Sequence, residues 1–250
     1  MNHEELIANL KQLHLATIAK DYAELARLSE QSKGTYEQYL AALATVELTH
    51  RRKLRTARLL KEAMLPRGKR LEDYDFKRRS AITEQQSKRL CEGAFVKNAE
   101  NVVFFGEFGT GKSHLAEGIT RALCERGYRC LFISVAVLIT SLLDAQKTLS
   151  LAAYYRKLDR YDLITLDELG YTPQTKEGAD LFFQLISQRY ERKSMMITTN
   201  LTYSEWDQVF LNPTTTAAAV DRIIHHNEAF SFAGPSKRAE EAQRNIHKKA

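Results

Sequence analysis

The chain has 250 residues, 44% of them hydrophobic, which suffices for one α/β domain of about 150 residues and a smaller appendage. The content of 11 Gly and 4 Pro is too low for a collagen-like or low-complexity chain. Because the three cysteines are sparse, which favours reduced thiols over disulfides, and because no apolar run approaches the roughly 18 residues of a bilayer span, we expect a soluble, cytoplasmic protein. The positive charge is concentrated in residues 51–79, which contain 12 Lys or Arg and four acids and so carry +8, whereas the remainder of the chain carries −2; a polyanion would therefore contact this stretch first.

The first predicted elements are helices. Residues 4–64 are rich in Ala, Leu, Glu, Lys, Arg and Gln with apolar residues at helical spacings, and Gly34 indicates a break between helices. Residues 66–80 contain a Pro-Arg-Gly turn and an Asp-Tyr-Asp-Phe segment, which we interpret as a linker whose aromatic residues dock on the next domain. These patterns predict a helical N-terminal domain over residues 1–70 and a larger domain over residues 71–250.

Basic residues cluster near the end of the helical region. Most of them group on one helical face, with Leu54 and Leu59 nearby as apolar contacts. The cluster consists of Arg51, Arg52, Lys53, Arg55 and Arg58. Such residues can follow phosphates without reading bases, so we predict that they bind DNA, the alternative being a merely solvated basic helix.

The larger domain alternates short apolar strands with helices. The predicted strands are residues 102–105, 130–135, 163–166, 195–198 and 230–232, and the predicted helices are residues 113–126, 137–145, 152–158, 178–192 and 217–226. Continuous apolar strands separated by helices are typical of a parallel sheet that is covered on both faces. The sequence therefore predicts an α/β fold.

A glycine-rich loop follows the first strand and fits G-x-x-x-x-G-K-[ST] at every fixed position. Its backbone amides and the following helix N-terminus are suited to phosphate oxygens; Lys112 would reach the β- and γ-phosphates and Ser113 would hold Mg²⁺. The predicted ATP contacts are Gly106, Glu107, Phe108, Gly109, Thr110, Gly111, Lys112, Ser113 and His114. A glycine turn without ligand is the alternative.

Two further strands end in polar residues that would meet this loop. The third strand ends at Asp167 and Glu168; Asp167 would bind Mg²⁺ through its water shell, and Glu168 would be the general base for the attacking water. The fourth ends at Asn200, which could bind the γ-phosphate or that water. The acids could instead simply face solvent. A base within the site favours hydrolysis over a small-molecule kinase, and the absence of N-K-x-D disfavours GTP.

In order and spacing, the loop, the acid pair and Asn200 resemble the AAA+ branch of P-loop ATPases. The resemblance implies a sensor-1 role for Asn200 and an arginine finger at Arg222, which would reach a neighbouring subunit's γ-phosphate. Arg189 is a weaker alternative finger, and Arg222 could instead form a surface salt bridge. Arg238 occupies the place of a sensor-2 arginine, although Pro235 and the short tail depart from the usual lid.

Features outside the ATP site resemble IstB-like proteins, the ATP-binding helpers encoded beside the transposase in bacterial insertion sequences. The resemblance rests on the basic helix, the Leu-Glu-Asp-Tyr-Asp-Phe linker of residues 71–76, the loop of residues 106–115 and the segments at residues 162–170 and 200–206. It implies ATP-dependent assembly on duplex DNA, self-association with ATP between subunits, a transposase partner and an extra helical pair over residues 137–158. The related DnaC-like helicase loaders provide the alternative function.

Overall fold

The computed structural model describes residues 2–66, 68–76, 81–171 and 175–233. Its first helices are α1 (His3–Gln12), α2 (Ala16–Gln31) and α3 (Tyr36–Glu62), with the predicted break around Gly34. Two compact units divide inside α3, between Arg58 and Leu59. The last turn of α3 belongs with the second unit because Leu59 and Ala63 are buried in its core and the Phe132 N–H donates to the Ala63 carbonyl at 2.8 Å.

A buried glutamate of α3, Glu47, joins this helix to the start of α2 in the first unit. The residue that precedes α2, Leu15, cannot cap that helix with its side chain. Glu47 of α3 supplies the missing acceptor, since its carboxylate receives the backbone N–H groups of Thr17 at 3.1 Å and Ile18 at 3.4 Å. Arg51 donates to the same carboxylate at 2.7 Å and thereby lowers the pKa of Glu47.

From Asn101 onward the second unit alternates strands and helices as predicted, and two helices that were not predicted precede this residue. The helices are α4 (Glu84–Glu92), α5 (Ala94–Lys97), α6 (Lys112–Glu125), α7 (Val135–Lys147), α8 (Leu151–Asp159), α9 (Lys176–Arg189), α10 (Asp207–Phe210) and α11 (Pro213–Ile224). The strands are β1 (Asn101–Gly106), β2 (Cys130–Ser134), β3 (Leu163–Leu169), β4 (Ser194–Thr199) and β5 (Asn227–Phe232). The helices α7 and α8 form the extra pair between β2 and β3 that the family resemblance implied.

The five strands form one parallel sheet in the order β2-β3-β4-β1-β5. Successive residues of β1 belong to different cores: Val102 and Phe104 pack in one cluster and Val103 in the other. Because neighbouring side chains of a strand point to opposite faces, helices must cover both faces. The predicted α/β fold with a preceding helical region is confirmed. In a parallel sheet, the carboxyl ends of β1, β3 and β4 meet at one edge.

Residues 68–76 lie along α6. The Lys69 N–H donates to the buried carboxylate of Glu117 at 2.8 Å, and a side chain at Gly118 would come within 3.1 Å of the Leu71 backbone. Tyr74 is buried and meets Phe76 edge-to-face at 4.7 Å. The predicted aromatic docking is therefore present, although the segment is a turn, closed by the Tyr74 N–H on the Leu71 carbonyl, and not extended.

None of the helices within the described ranges combines enough length with enough apolar character to cross a membrane.

Candidate nucleotide and magnesium site

The phosphate loop, residues 106–113, joins β1 to α6. Gly106, Gly109 and Gly111 all have positive φ, at 139°, 74° and 100°. At Gly106 a side chain is also excluded by β5, because a Cβ would lie 1.9 Å from the Phe232 carbonyl oxygen. The glycines thus allow the chain to turn sharply at the edge of the sheet.

The loop encloses the Lys112 ammonium group. Lys112 is 5% exposed, and its Nζ donates to the carbonyls of Gly106 at 2.6 Å and Glu107 at 2.8 Å. The residue before α6 is Gly111, which offers no capping side chain to the first amides of this helix. Uncapped amides and a buried ammonium group together favour an anion at this position.

The other predicted ATP contacts differ in their surroundings. Thr110 donates to the Glu107 carbonyl at 2.9 Å and so closes the loop. Phe108 is exposed and packs edge-to-face on Tyr171, with 4.8 Å between ring centroids. His114 contacts residues 68–76, where its Nε2 lies 3.0 Å from the Arg70 carbonyl oxygen and its ring meets Tyr74. Arg238 lies outside the described residues.

A cleft of about 320 Å³ brings together the residues predicted to bind Mg²⁺ and to activate water. Ser113, Asp167 and Glu168 line it from the start of α6 and the end of β3, and Lys69 and Glu117 line it as well. A hydroxyl and carboxylates are hard oxygen ligands of the kind that Mg²⁺ prefers, so this donor set fits the ion. Ser113 and Asp167 are the residues that could hold it.

The acid pair, Asp167 and Glu168, lies in a β-bulge. Leu166 pairs with Ile197 and Leu169 pairs with Thr199, so both acids oppose the single residue Thr198. The Thr198 hydroxyl donates to Asp167 Oδ1 at 2.5 Å and accepts the Glu168 N–H at 3.0 Å. Sequence reasoning missed Thr198, whose only signal was a hydroxyl residue two positions before Asn200.

Asn200 follows β4 at the same edge of the sheet. Its side-chain oxygen is buried and has no hydrogen-bond partner among the described residues. A buried acceptor of this kind normally has a partner, so the Asn200 oxygen is suited to accept a hydrogen bond. Asn200 is not among the residues that line the cleft.

The two candidate arginine fingers differ sharply. Arg189 is 1% exposed and donates to the carbonyls of Leu158, Tyr161, Asp162 and Ser194. Its burial lowers its pKa to about 10. These contacts hold Arg189 inside its own domain, so it cannot reach a neighbouring subunit and is wrong as the alternative finger.

Arg222 of α11 is half-buried at the surface. Its guanidinium lies 4.9 Å from the centroid of the Phe183 ring, and its Nη1 donates to the Ala218 carbonyl at 3.2 Å. Glu228, one of its possible surface partners, instead pairs with Arg89. Arg222 is not among the residues that line the cleft.

The basic cluster of α3 is exposed, but its members are not equivalent. Arg51 binds Glu47 and also donates to the His14 carbonyl at 2.6 Å, so it fastens α3 to the turn between α1 and α2. Arg52, Lys53, Arg55 and Arg58 are exposed along the same part of α3. The structure therefore gives Arg51 a role within the helical unit that its sequence pattern did not indicate.

The chain is similar to insertion sequence ATP-binding proteins in sequence and to a helicase loader in fold. A family model described as IstB-like ATP binding protein matches residues 8–245. An insertion sequence ATP-binding protein of Sinorhizobium fredii is 38% identical over 93% of this chain and 78% of its own length. The insertion sequence IS232 ATP-binding protein of Bacillus thuringiensis is 32% identical over 95% of each chain. The crystal structure of the DnaC helicase loader, at 21% identity, covers 67% of this chain and 98% of its own with a TM-score of 0.55, which shows a shared fold.

Proposed function

Because the chain belongs to the family of IstB-like ATP-binding proteins, we propose that it is an ATP-dependent, DNA-binding regulator of transposition. Its subunits assemble on duplex DNA with ATP between them and aid the transposase of the same element in selecting a target. Hydrolysis of ATP to ADP and phosphate then resets the assembly. The names of the matched relatives, which are insertion sequence ATP-binding proteins, support this proposal.

The observation that carries the hydrolytic part is the cleft in which Ser113, Asp167 and Glu168 lie together beside the phosphate loop. Bound Mg²⁺ supplies charge neutralisation for the transferred phosphoryl group. Lys112 and the first amides of α6 bind the phosphates, and Glu168 takes a proton from the attacking water. The buried Asn200 oxygen accepts a hydrogen bond from the other O–H of that water and so orients it.

The DNA-binding part rests on the exposed cations of α3. Of the five predicted contacts, Arg52, Lys53, Arg55 and Arg58 remain the proposed phosphate contacts. Arg51 contributes indirectly, because its bonds to Glu47 and to the His14 carbonyl hold α3 against the α1–α2 turn. Contacts of this kind depend on salt and carry little base specificity.

Fluorescence anisotropy with labelled duplex and single-stranded DNA of the same length tests the proposal. We expect tight binding to the duplex with ATP and Mg²⁺, and weak binding with ADP. Equal binding with both nucleotides, or binding to single strands alone, would contradict it. In that case, a stable complex with a replicative helicase would favour the helicase-loader alternative.

Replacing Arg52 and Lys53 with serine is expected to weaken duplex binding and its salt dependence. Loss of two phosphate contacts should reduce the slope of log K against log salt by about 2. Lys11 and Lys20, exposed cations of α1 and α2, provide a double serine control that removes the same charge. An equal loss of slope in both variants would show that net charge, and not this face of α3, governs binding.

Arg222→Ala is expected to lower ATP hydrolysis roughly 100-fold without a proportional loss of nucleotide affinity, because a charge that stabilises the transition state is removed. Mixing it with Lys112→Ala subunits tests whether the arginine acts between subunits. The Lys112→Ala subunits cannot hold ATP but still carry Arg222, so the mixture should recover activity. A mixture no more active than its separate parts would place the role of Arg222 within one chain.

A further inference from the structure

The bulge at the end of β3 explains how two consecutive acids can serve one site. In a regular strand Asp167 and Glu168 would point to opposite faces of the sheet. Here both oppose Thr198, and the extra residue breaks the alternation. Asp167 and Glu168 consequently line the same cleft.

Glu168 adopts a conformation that its residue type does not favour. Its φ is +63°, in the left-handed region, where a side chain with a Cβ is strained. Such a conformation persists only where neighbouring contacts hold it. Two hydrogen bonds hold the Glu168 backbone: its N–H donates to Thr198 Oγ1 at 3.0 Å, and its carbonyl accepts the Tyr171 N–H at 3.4 Å.

One hydroxyl therefore serves both acids. Its single proton is donated to Asp167 Oδ1 at 2.5 Å, which leaves its oxygen to accept the Glu168 N–H. Thr198 is 1% exposed, and its β4 strand pairs with β1, which ends in the phosphate loop. The contact thus ties the backbone of Glu168 and the carboxylate of Asp167 to the strand that precedes Asn200.

We propose that Thr198 is a positioning residue for ATP hydrolysis, holding the bulge that directs Glu168 toward the attacking water. This inference rests on the proposed function, because it assumes that Glu168 is the general base. Thr198 is buried and is not among the residues that line the cleft. It acts by keeping the base within the narrow range of positions from which proton transfer is efficient.

Thr198→Val tests this role because valine keeps the shape of threonine and removes only the hydroxyl. At saturating ATP and Mg²⁺ we expect kcat to fall about 10- to 100-fold, while the affinity for a non-hydrolysable ATP analogue changes less than about twofold. Thr198→Ser, which restores the hydroxyl, should recover most of the activity. Failure of serine to restore activity would overturn the inference.

Thr165→Val is the matched control for the general effect of removing a buried hydroxyl. Thr165 lies two residues before Asp167 on β3, is fully buried, and shares a 2.7 Å hydrogen bond with Thr120 of α6. It should lose thermal stability much as Thr198→Val does, yet hydrolyse ATP at close to the normal rate. Equal losses of kcat in the two valine variants would assign Thr198 a structural role only.

Combining Thr198→Val with Glu168→Gln distinguishes the positioning role of Thr198 from the general-base role of Glu168. If Thr198 acts through Glu168, the double variant should be no slower than Glu168→Gln alone. An additional tenfold loss would contradict the inference. Normal hydrolysis by Glu168→Gln would instead overturn the proposed base itself, whatever Thr198→Val does.

Discussion

Glu168→Gln is expected to lower ATP hydrolysis roughly 1000-fold while the protein still binds ATP. Glutamine has the size of glutamate but cannot accept the proton of the attacking water, and general base catalysis contributes about 100- to 10,000-fold. Phosphate release measures the rate, and a fluorescent ATP analogue measures the affinity. Because ATP would persist, the assembly on duplex DNA should dissociate far more slowly than that of the unaltered protein.

Two further variants test whether the loss of hydrolysis is specific to Glu168. Glu177→Gln changes an exposed glutamate in the first turn of α9 and should leave hydrolysis unchanged. Asp167→Asn should raise the Mg²⁺ concentration needed for ATP binding and also lower the rate, since Asp167 is one of the two residues proposed to hold Mg²⁺. If Glu168→Gln hydrolysed ATP at the normal rate, the catalytic base would have to be another residue.

Arg189→Met is expected to destabilise the second unit by about 3–5 kcal/mol, because buried carbonyls that bind the guanidinium would lose their donor. The guanidinium binds four carbonyls, one from α8, two from the residues just before β3 and one from β4. For a chain of this size such a loss lowers Tm by about 6–20 °C, which differential scanning calorimetry would detect.

Arg192→Met provides the matched control. Arg192 lies three residues further along, where it forms an exposed ion pair with Asp159. Exposed pairs contribute about 0–1 kcal/mol, so its Tm should change little. A normal Tm for Arg189→Met would contradict the structural role of Arg189. Loss of hydrolysis at a normal Tm would indicate that Arg189 acts in catalysis.

Much of the fold was accessible from the sequence because its signals are local. The five apolar strands, the helices between them and the loop with its three glycines are short patterns in consecutive residues. The comparisons confirmed the family resemblance over nearly the whole chain. The compact units divide inside α3 because the last turn of this helix, although helical like the residues before it, packs into the core of the second unit. The domain boundary near residue 70 stays a prediction.

The candidate site was accessible in part. Ser113, Asp167 and Glu168 are brought together at one edge of the sheet as expected, because parallel strands end on the same side. Lys69 was counted only as part of the basic stretch, yet it lines the cleft. Its place depends on the path of residues 68–76 along α6, which no periodicity in the sequence describes. The roles of Asn200, Arg222 and Arg238 stay predictions.

The sequence by itself determined the chemistry available to this protein: a phosphate-binding loop, an acid pair at a strand end and a basic helix. Only the tertiary structure decided how those groups are held. In the folded chain Asp167 and Glu168 lie opposite Thr198, buried carbonyls surround Arg189, and Arg51 pairs with Glu47. Strand register and helix packing join residues far apart in the chain, whereas a sequence pattern reports only the periodicity of neighbouring residues.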